Sequence, residues 1–349
     1  MCTYDIDLET LVGGIRAAYP GMTLVGSTSF GEMSSVLGFQ EDSVVLAVFA
    51  SDRVDITTGC GAGVSVSSAQ AARDALDQAR AGTTQPPRLC LVVPCISGDD
   101  PAALLGALQD LLGDDVPVIG GGSAPRTPPD DPRIARQFHD DEILQDSAAV
   151  LLFSGPVAFS FGIDTGWQPI GGRGRVTGTS GSVVQTIDDQ PAVAFYQRYL
   201  GAEAMPSAAN PLAVFEGETD DFYLRVALKA DPTDGSLSMA GSIPLGAVVQ
   251  LTVAVTEEIF AGARSAVQKA VKRFPVASTA TAALVFSCAI RRLVLGTRTG
   301  TELDITRTEL GDIPIGGFYC YGEIAPIETG ASRFHNETLV AVLLGESVS

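Results

Sequence analysis

Glu32 and Glu323, Cys95 and Cys288, and His139 and His335 recur at related places in this chain, and such groups transfer protons, attack carbonyls or bind metals. Glu32 and Glu323 each follow a glycine. If the fold brings them together, such a pair can divide acid and base work. Cys95 and Cys288 each end an apolar run, Leu91-Val-Val-Pro-Cys95 and Leu284-Val-Phe-Ser-Cys288. A thiol becomes a nucleophile only beside a base and oxyanion donors. His139 and His335 are the chain's two histidines, and Cys288 with His335 is the one dyad worth entertaining. Arg291 and Arg292 follow Cys288 and can clamp an anion. Tyr319 and Tyr321 alternate with Phe318 and Cys320, so a strand turns one pair to the core and the other to a cleft. Plainer roles compete with each of these: glutamates capping loop amides, histidines bonded to backbone, arginines paired or solvated, Trp167 as a packing anchor.

The elements that must position these groups are repeated. Gly317-Phe-Tyr-Cys-Tyr-Gly-Glu-Ile-Ala-Pro326 is followed by Phe334-His-Asn-Glu-Thr-Leu339. Ile119-Gly-Gly-Gly-Ser-Ala124 precedes Phe138-His139 in the same way, and Val25-Gly-Ser-Thr-Ser-Phe-Gly-Glu32 precedes Phe39-Gln-Glu-Asp42. Each copy runs into an apolar stretch, at 44–49, 148–153 and 339–344, which predicts a strand. A repeat of this kind fixes architecture before any single motif does. It predicts two related α/β lobes in which Cys95 matches Cys288 and His139 matches His335.

The glycine loop at 120–123 can cradle an anion through its amides. It is neither a Walker loop nor a dinucleotide fingerprint, since GxxxxGK[ST] is missing and no GxGxxG leads from a strand into a helix. Gly171-Gly-Arg-Gly174 is merely glycine-rich. The six cysteines form no CxxC and no zinc spacing, and no CxxCH attaches haem covalently.

With 349 residues, 46% of them hydrophobic and 18% charged, the chain is long and apolar enough for about two cored domains. A formal charge of −19 opposes phosphate backbones and anionic membranes, so neither nucleic acid nor membrane is an expected partner. The acidic start lacks a secretory core, and the longest apolar stretches are interrupted, so reduced thiols in the cytoplasm are expected. Helices are predicted over 65–81, after Asp99-Asp-Pro101, after Asp189-Gln-Pro191 and over 257–274. A hairpin is predicted between 222–228 and 237–243. The Ala-, Pro- and Ser-rich residues 201–211 are the expected boundary between domains at 1–205 and 206–349.

The 317–324 phrase with His335-Asn336 resembles the signature of the FIST C domain. The 26–32 phrase, Gly120-Gly-Gly-Ser123, Gly166-Trp-Gln-Pro-Ile-Gly171 and Val176-Thr177 resemble the FIST N domain. The likeness spans roughly residues 20 to 344. Cys320, Glu337 and Ile290 depart from the usual Thr or Ser, Gln and Gly. The resemblance implies an α/β (α+β) fold and a stand-alone intracellular sensory module for a small ligand, with an amino-acid-like molecule one candidate. Such a module acts in signal transduction through a separate protein such as a histidine kinase. It also leaves open haem-based nitric-oxide sensing, with His335 or His139 as the iron ligand, and an enzyme working in the inter-lobe cleft. The ligand pocket is expected to be lined by Ser27, Thr28, Gly31 and Glu32, by Gly121, Gly122 and Ser123, and by Tyr319, Tyr321, Gly322 and Glu323. Cys288, Arg291, Arg292, His335 and Asn336 are expected in or behind its wall.

Overall fold

The computed structural model describes residues 1–96, 102–123, 134–215, 220–327 and 330–347. The chain opens with α1 (Leu8–Ala18), whose cap Asp7 accepts a hydrogen bond from the Thr10 amide. Then come β1 (Val25–Ser27), β2 (Glu32–Ser34), β3 (Gly38–Gln40) and β4 (Asp55–Ala62). The helix α2 (Ser68–Ala81) is capped by Ser67 and ends at Gly82. It leads to β5 (Pro87–Pro94), α3 (Ala102–Leu112), β6 (Val118–Gly121), β7 (Gln137–His139), β8 (Glu142–Leu144), β9 (Ser147–Ser154) and β10 (Val157–Asp164). An inserted region follows: β11 (Gln168–Ser180), β12 (Val183–Ile187), β13 (Gln190–Pro191), α4 (Ala192–Leu200), β14 (Leu212–Phe215), β15 (Phe222–Arg225), β16 (Ala227–Ala230), β17 (Leu237–Met239) and β18 (Val248–Val253). The chain then forms α5 (Thr256–Arg273), β19 (Thr279–Cys288), α6 (Ala289–Leu295), α7 (Gly300–Leu310), β20 (Ile315–Cys320), β21 (Glu323–Ala325), β22 (Arg333–His335) and β23 (Leu339–Glu346).

Two six-stranded sheets share one plan. One runs β22-β21-β6-β5-β9-β4, the other β3-β2-β20-β19-β23-β10. In each, a central strand pairs parallel to one neighbour (β5 with β6, β19 with β20) and antiparallel to the other (β9, β23). Their apolar runs follow from burial on both faces. Leu89, Leu91 and Val93 meet Phe286, Phe318, Val340 and Val342 in a core between the sheets, while Cys90 and Val92 face α2 and α3. The outer face of the second sheet is covered by α5 and α7. Close approach of α2 to β4 requires glycine, because a Cβ on Gly61 would sit 1.9 Å from Ala71 O.

The glycine-turn units exchange their hairpins in a ring. The β2-β3 hairpin of the first unit pairs with β20 of the third, β21-β22 of the third with β6 of the second, and β7-β8 of the second with β1 of the first. The registers coincide. Glu32 faces Phe318, Glu323 faces Gly121 and Gln137 faces Ser27. The lobes therefore do not follow the halves of the chain. The inserted region forms a separate sheet, β15-β14-β18-β11-β12-β17-β16 with β13 beside β12, around its own core of Val176, Phe195, Tyr196, Leu212, Val249 and Leu251.

Several expectations are corrected. Cys95 and Cys288 do end equivalent strands, with their amides donating to Ser147 O (2.8 Å) and Thr338 O (3.0 Å). His139 and His335 are not equivalent. His139 ends the first strand of its hairpin and His335 the second. The Phe-His pair misleads because hairpin lengths differ between units; Phe334 pairs with Ile324, and the residue that holds the same position in the second unit is Ile143, opposite Phe138. Residues 44–49, apolar enough to predict a strand, make one isolated bridge through Val44. Residues 201–211 join α4 to β14, and both elements contribute to the core of the inserted sheet. The predicted 222–243 hairpin divides, with β15 joining β14 and β16 joining β17. The Asp99-Asp-Pro101 cap lies outside the described residues.

Candidate functional site

The three glycine turns meet through their backbones. Phe30 N donates to Tyr319 O (2.9 Å) and Tyr319 N to Gly31 O (2.8 Å). Gly122 N donates to Gly322 O (3.0 Å) and Tyr321 N to Gly122 O (2.8 Å). A Cβ on Gly121 would lie 2.6 Å from Cys320 Sγ, so only glycine lets the second and third turns touch. Tyr321 packs its ring edge-on against Phe30, with centroids 5.7 Å apart.

Beside each turn, one side chain bridges the turn to the apolar segment that follows it. Glu32 accepts from Ser29 Oγ (2.6 Å) and Ser43 Oγ (2.7 Å). Glu323 accepts from Cys320 Sγ (3.3 Å) and from Thr338 Oγ1 (2.9 Å) and N (3.1 Å). Gln137 donates to Ser123 Oγ (2.7 Å) and accepts from Ser147 N (3.3 Å). These bonds stabilise the ionised form of Glu323, yet its complete burial dominates and pushes the carboxyl up to about 7. Burial also raises Glu32, against the lowering pull of its two serines.

Behind Glu323 lies a second buried carboxylate. Glu337 is 0% exposed and sits at φ +59, a left-handed conformation costly for a side chain. Its carbonyl accepts from Thr165 Oγ1 (2.8 Å) and Arg291 Nη1 (3.3 Å), but neither carboxylate oxygen has a hydrogen-bond partner among the described residues. Burial, then the nearby Glu323, drives its acid form well above the usual carboxylate range. Trp167 Nε1 and Tyr196 Oη are likewise buried with no hydrogen-bond partner among the described residues, and Glu337 adds to the burial that raises the Tyr196 phenol. Interiors rarely leave such groups unmatched.

Residues 1–190 match the FIST N domain and residues 192–326 the FIST C domain. The chain belongs to the FIST family. It is 28% identical over 217 residues to an uncharacterized protein of Mycobacterium tuberculosis, covering 58% of this chain and 55% of that protein. It is 27% identical over 215 residues to an uncharacterized protein of Mycobacterium bovis, covering 58% of this chain and 54% of that one. The matched region thus spans about half the length of these curated relatives.

The FIST signature residues divide into three groups. Ser27, Thr28, Gly31, Glu32, Gly121, Gly122, Ser123, Tyr321, Gly322 and Glu323 converge at the turn junction, where backbone and buried side chains pack directly on one another. Cys288 lies beside it, at the end of β19, its thiol raised first by burial and then by Glu323 and Glu337. Arg291 and Tyr319 face elsewhere, into a buried network around Glu302. Arg291 pairs with the Glu302 carboxylate at 2.6 and 2.8 Å, Tyr319 Oη donates to it at 2.7 Å and Ser287 Oγ at 3.1 Å. Arg292 is held by Glu41 (2.9 Å), by the Phe30 carbonyl and over the Phe30 ring. Both guanidinium groups are engaged within the protein.

In this FIST protein the His335 Nε2 is hydrogen-bonded to Ala325 O (2.9 Å), and burial takes the imidazole down to about 3. Asn336 Oδ1 accepts from Val226 N (3.3 Å), tying the motif to the inserted sheet. His139 Nε2 lies 3.2 Å from Thr58 Oγ1. Neither histidine fits a haem ligand, because each Nε2 is turned to a polar partner instead of an apolar slot. No hydrogen bond among the described residues joins Cys288 to His335 or Glu32 to Glu323. The raised thiol and lowered imidazole also disfavour a thiolate–imidazolium pair. Sequence reasoning passed over Glu337 and Glu302. Glu337 carried one signal, a charged residue where the family commonly has Gln. Among the described residues no group of three metal-ligating side chains gathers, and no helix is long and apolar enough to cross a membrane.

Proposed function

We propose that this chain is a sensory protein that captures a small molecule at the buried acidic cluster of Glu323 and Glu337 and signals through a separate protein. The observation that carries this reading is Glu337, a fully buried carboxylate with neither oxygen hydrogen-bonded among the described residues. A group of that kind costs roughly 1–3 kcal/mol unless something satisfies it. A ligand bearing an amine or amide donor, as an amino-acid-like molecule does, would satisfy it and would draw the carboxyl back to its ionised form. Tyr196 Oη and Trp167 Nε1 supply further uncommitted polar groups in the same region of the fold.

Ligand capture becomes a signal only if one conformation binds better than another. The Glu337 backbone is tied to Thr165 and Arg291, and Asn336 to Val226, so this turn links the acidic cluster to the inserted sheet. We infer that ligand-dependent movement of that link alters a surface read by a cytoplasmic partner such as a histidine kinase. The test is native mass spectrometry of the purified protein for a co-purifying molecule, then calorimetric titration of that molecule into wild type, Glu337→Gln and Glu323→Gln. The expected outcome is an at least tenfold loss of affinity in Glu337→Gln without turnover of the bound molecule. Unchanged affinity in both variants, or product formation lost in Glu323→Gln, would sink the reading.

A further inference from the structure

The inserted sheet and the first six-stranded sheet meet at their edge strands, β15 and β22, and α3 packs on β22 at the same junction. A cleft of about 200 Å³ lies between these elements, room for one small molecule. Polar bonds fix its back wall. Gln109 of α3 pairs with the Ser332 backbone, Oε1 accepting from N (2.6 Å) and Nε2 donating to O (3.2 Å). Ser332 Oγ in turn accepts from Val118 N (3.0 Å). Leu105 and Phe334 supply the apolar part of the wall.

Two guanidinium groups stand in the same wall. Arg225 of β15 is only 5% exposed and is held by three carbonyls. Its Nε donates to Ser242 O (3.2 Å), and its Nη1 to Leu224 O (3.0 Å) and Phe334 O (3.0 Å). A Cβ on Gly241, where φ is +116, would lie 3.0 Å from that Nε, so glycine makes the seat. Arg225 lies 4.4 Å from the centre of the Tyr223 ring, and the half-buried Arg333 of β22 approaches the same ring at 5.9 Å. Burial foremost, and then these two charges, oppose protonation of His335 nearby. No carboxylate lines the cleft among the described residues. On a chain of formal charge −19, two cations focused in one cleft reverse the local sign.

The helix on the other side keeps the cleft open. Gly106 lies in the middle of α3 and lines the cleft, and a Cβ there would meet nothing within 4 Å. Glycine weakens a helix relative to alanine, and no contact within the fold requires it at this position. What the missing side chain preserves is space.

We propose that this cleft binds a small organic anion, its carboxylate or phosphate head at Arg225 and Arg333 and its apolar body against Leu105 and Phe334. The guanidinium fork suits either head group. Clefts where two structural units meet are common ligand sites. The cleft shares no lining residue with the Glu323–Glu337 cluster, so this assignment survives failure of the ligand reading given above.

The test is calorimetric titration with benzoate, phenyl phosphate and the neutral benzamide. At least one of the two anions should saturate a single site per chain, with benzamide at least tenfold weaker. The tighter anion names the head group. Gly106→Leu fills the cleft with a better helix former, and Arg333→Gln removes a half-buried charge. Both variants should keep the wild-type circular dichroism spectrum, and each should weaken the anion at least tenfold. Hydrogen exchange should show anion-dependent protection at residues 105–109 and 332–334. Failure of both anions to saturate at millimolar concentration overturns the proposal. So does benzamide binding as tightly as the anions, wild-type affinity in both folded variants, or protection confined to other segments.

Discussion

Gln137 and Glu323 hold the same post in two units of the fold. Each lies opposite the residue that ends a glycine strand, Ser27 or Gly121. Each also bridges a small side chain of its own turn, Ser123 or Cys320, to an amide at the entry to the next strand, Ser147 or Thr338. One unit makes the bridge with a neutral amide and the other with an acid, so the molecule contains its own control for Glu323.

Replacing Glu323 by Gln is therefore expected to leave the fold intact and to change how stability depends on pH. The carboxyl goes from 4.5 to about 7 on folding, so between those values the unfolded chain is ionised while the folded one keeps its proton. Unfolding then releases a proton, and stability falls as pH rises from about 4.5 to 7, by on the order of 3 kcal/mol. Glu337 acts in the same direction. His335, lowered from 6.5 to about 3, acts oppositely, and its contribution is lost as pH drops through that window. Urea midpoints from pH 4 to 8 should show a shallower alkaline loss in Glu323→Gln and a shallower acid loss in His335→Gln. An unchanged slope in both variants would place the titrations elsewhere.

Arg291 and Glu302 are both wholly buried, and their carboxylate also receives Tyr319 and Ser287. Removing one partner strands the other charge. Arg291→Leu or Glu302→Leu should each cost about 3–5 kcal/mol, while the double variant recovers much of that loss. A double-mutant cycle by chemical denaturation measures the coupling, and additive losses would contradict the network.

At Gly322, φ is +99 and a Cβ would stand 2.2 Å from the Phe334 ring. Backbone strain and overpacking together should make Gly322→Ala cost roughly 3 kcal/mol. Gly296 shares a positive φ of +53 but has open space around it. Gly296→Ala should cost only about 1 kcal/mol, from the backbone alone. Thermal melts of the two variants separate the effects; equal losses would remove steric contact from the account.

All six cysteines are free and buried. Burial pushes Cys60 up to about 11 and Cys90 up to about 12, and raises Cys288 and Cys320 well above the ordinary thiol range. Since the thiolate is the reactive form, the native protein at pH 7.5 should titrate fewer than one thiol with Ellman's reagent within minutes, against six when unfolded. Rapid labelling of Cys288 would revive a nucleophilic role.

Much of the architecture was legible because strand and turn chemistry is local. The two-sided apolar runs at β5, β9, β19 and β23, the capped helices and the matching Gly-Glu steps announced repeated α/β units with Cys95 and Cys288 at equivalent ends. Residues 44–49 had the same composition as their counterparts, yet no local feature could reveal that Val44 alone among them forms a bridge. The Phe-His pair was legible as a pattern and wrong as an alignment, since register is set by ladder pairing across the chain.

The sequence by itself determined the class of fold, the family, the acidic surface and which residue types gather near the glycine turns. Only the tertiary structure decided who pairs with whom. Hairpin exchange among three units placed Glu32, Gln137 and Glu323 at one post, turned Arg291 and Tyr319 toward Glu302, and left the Glu337 carboxylate buried with no hydrogen-bond partner among the described residues. Those outcomes depend on contacts between residues scores of positions apart, and on desolvation, which arises only when every surrounding layer has closed.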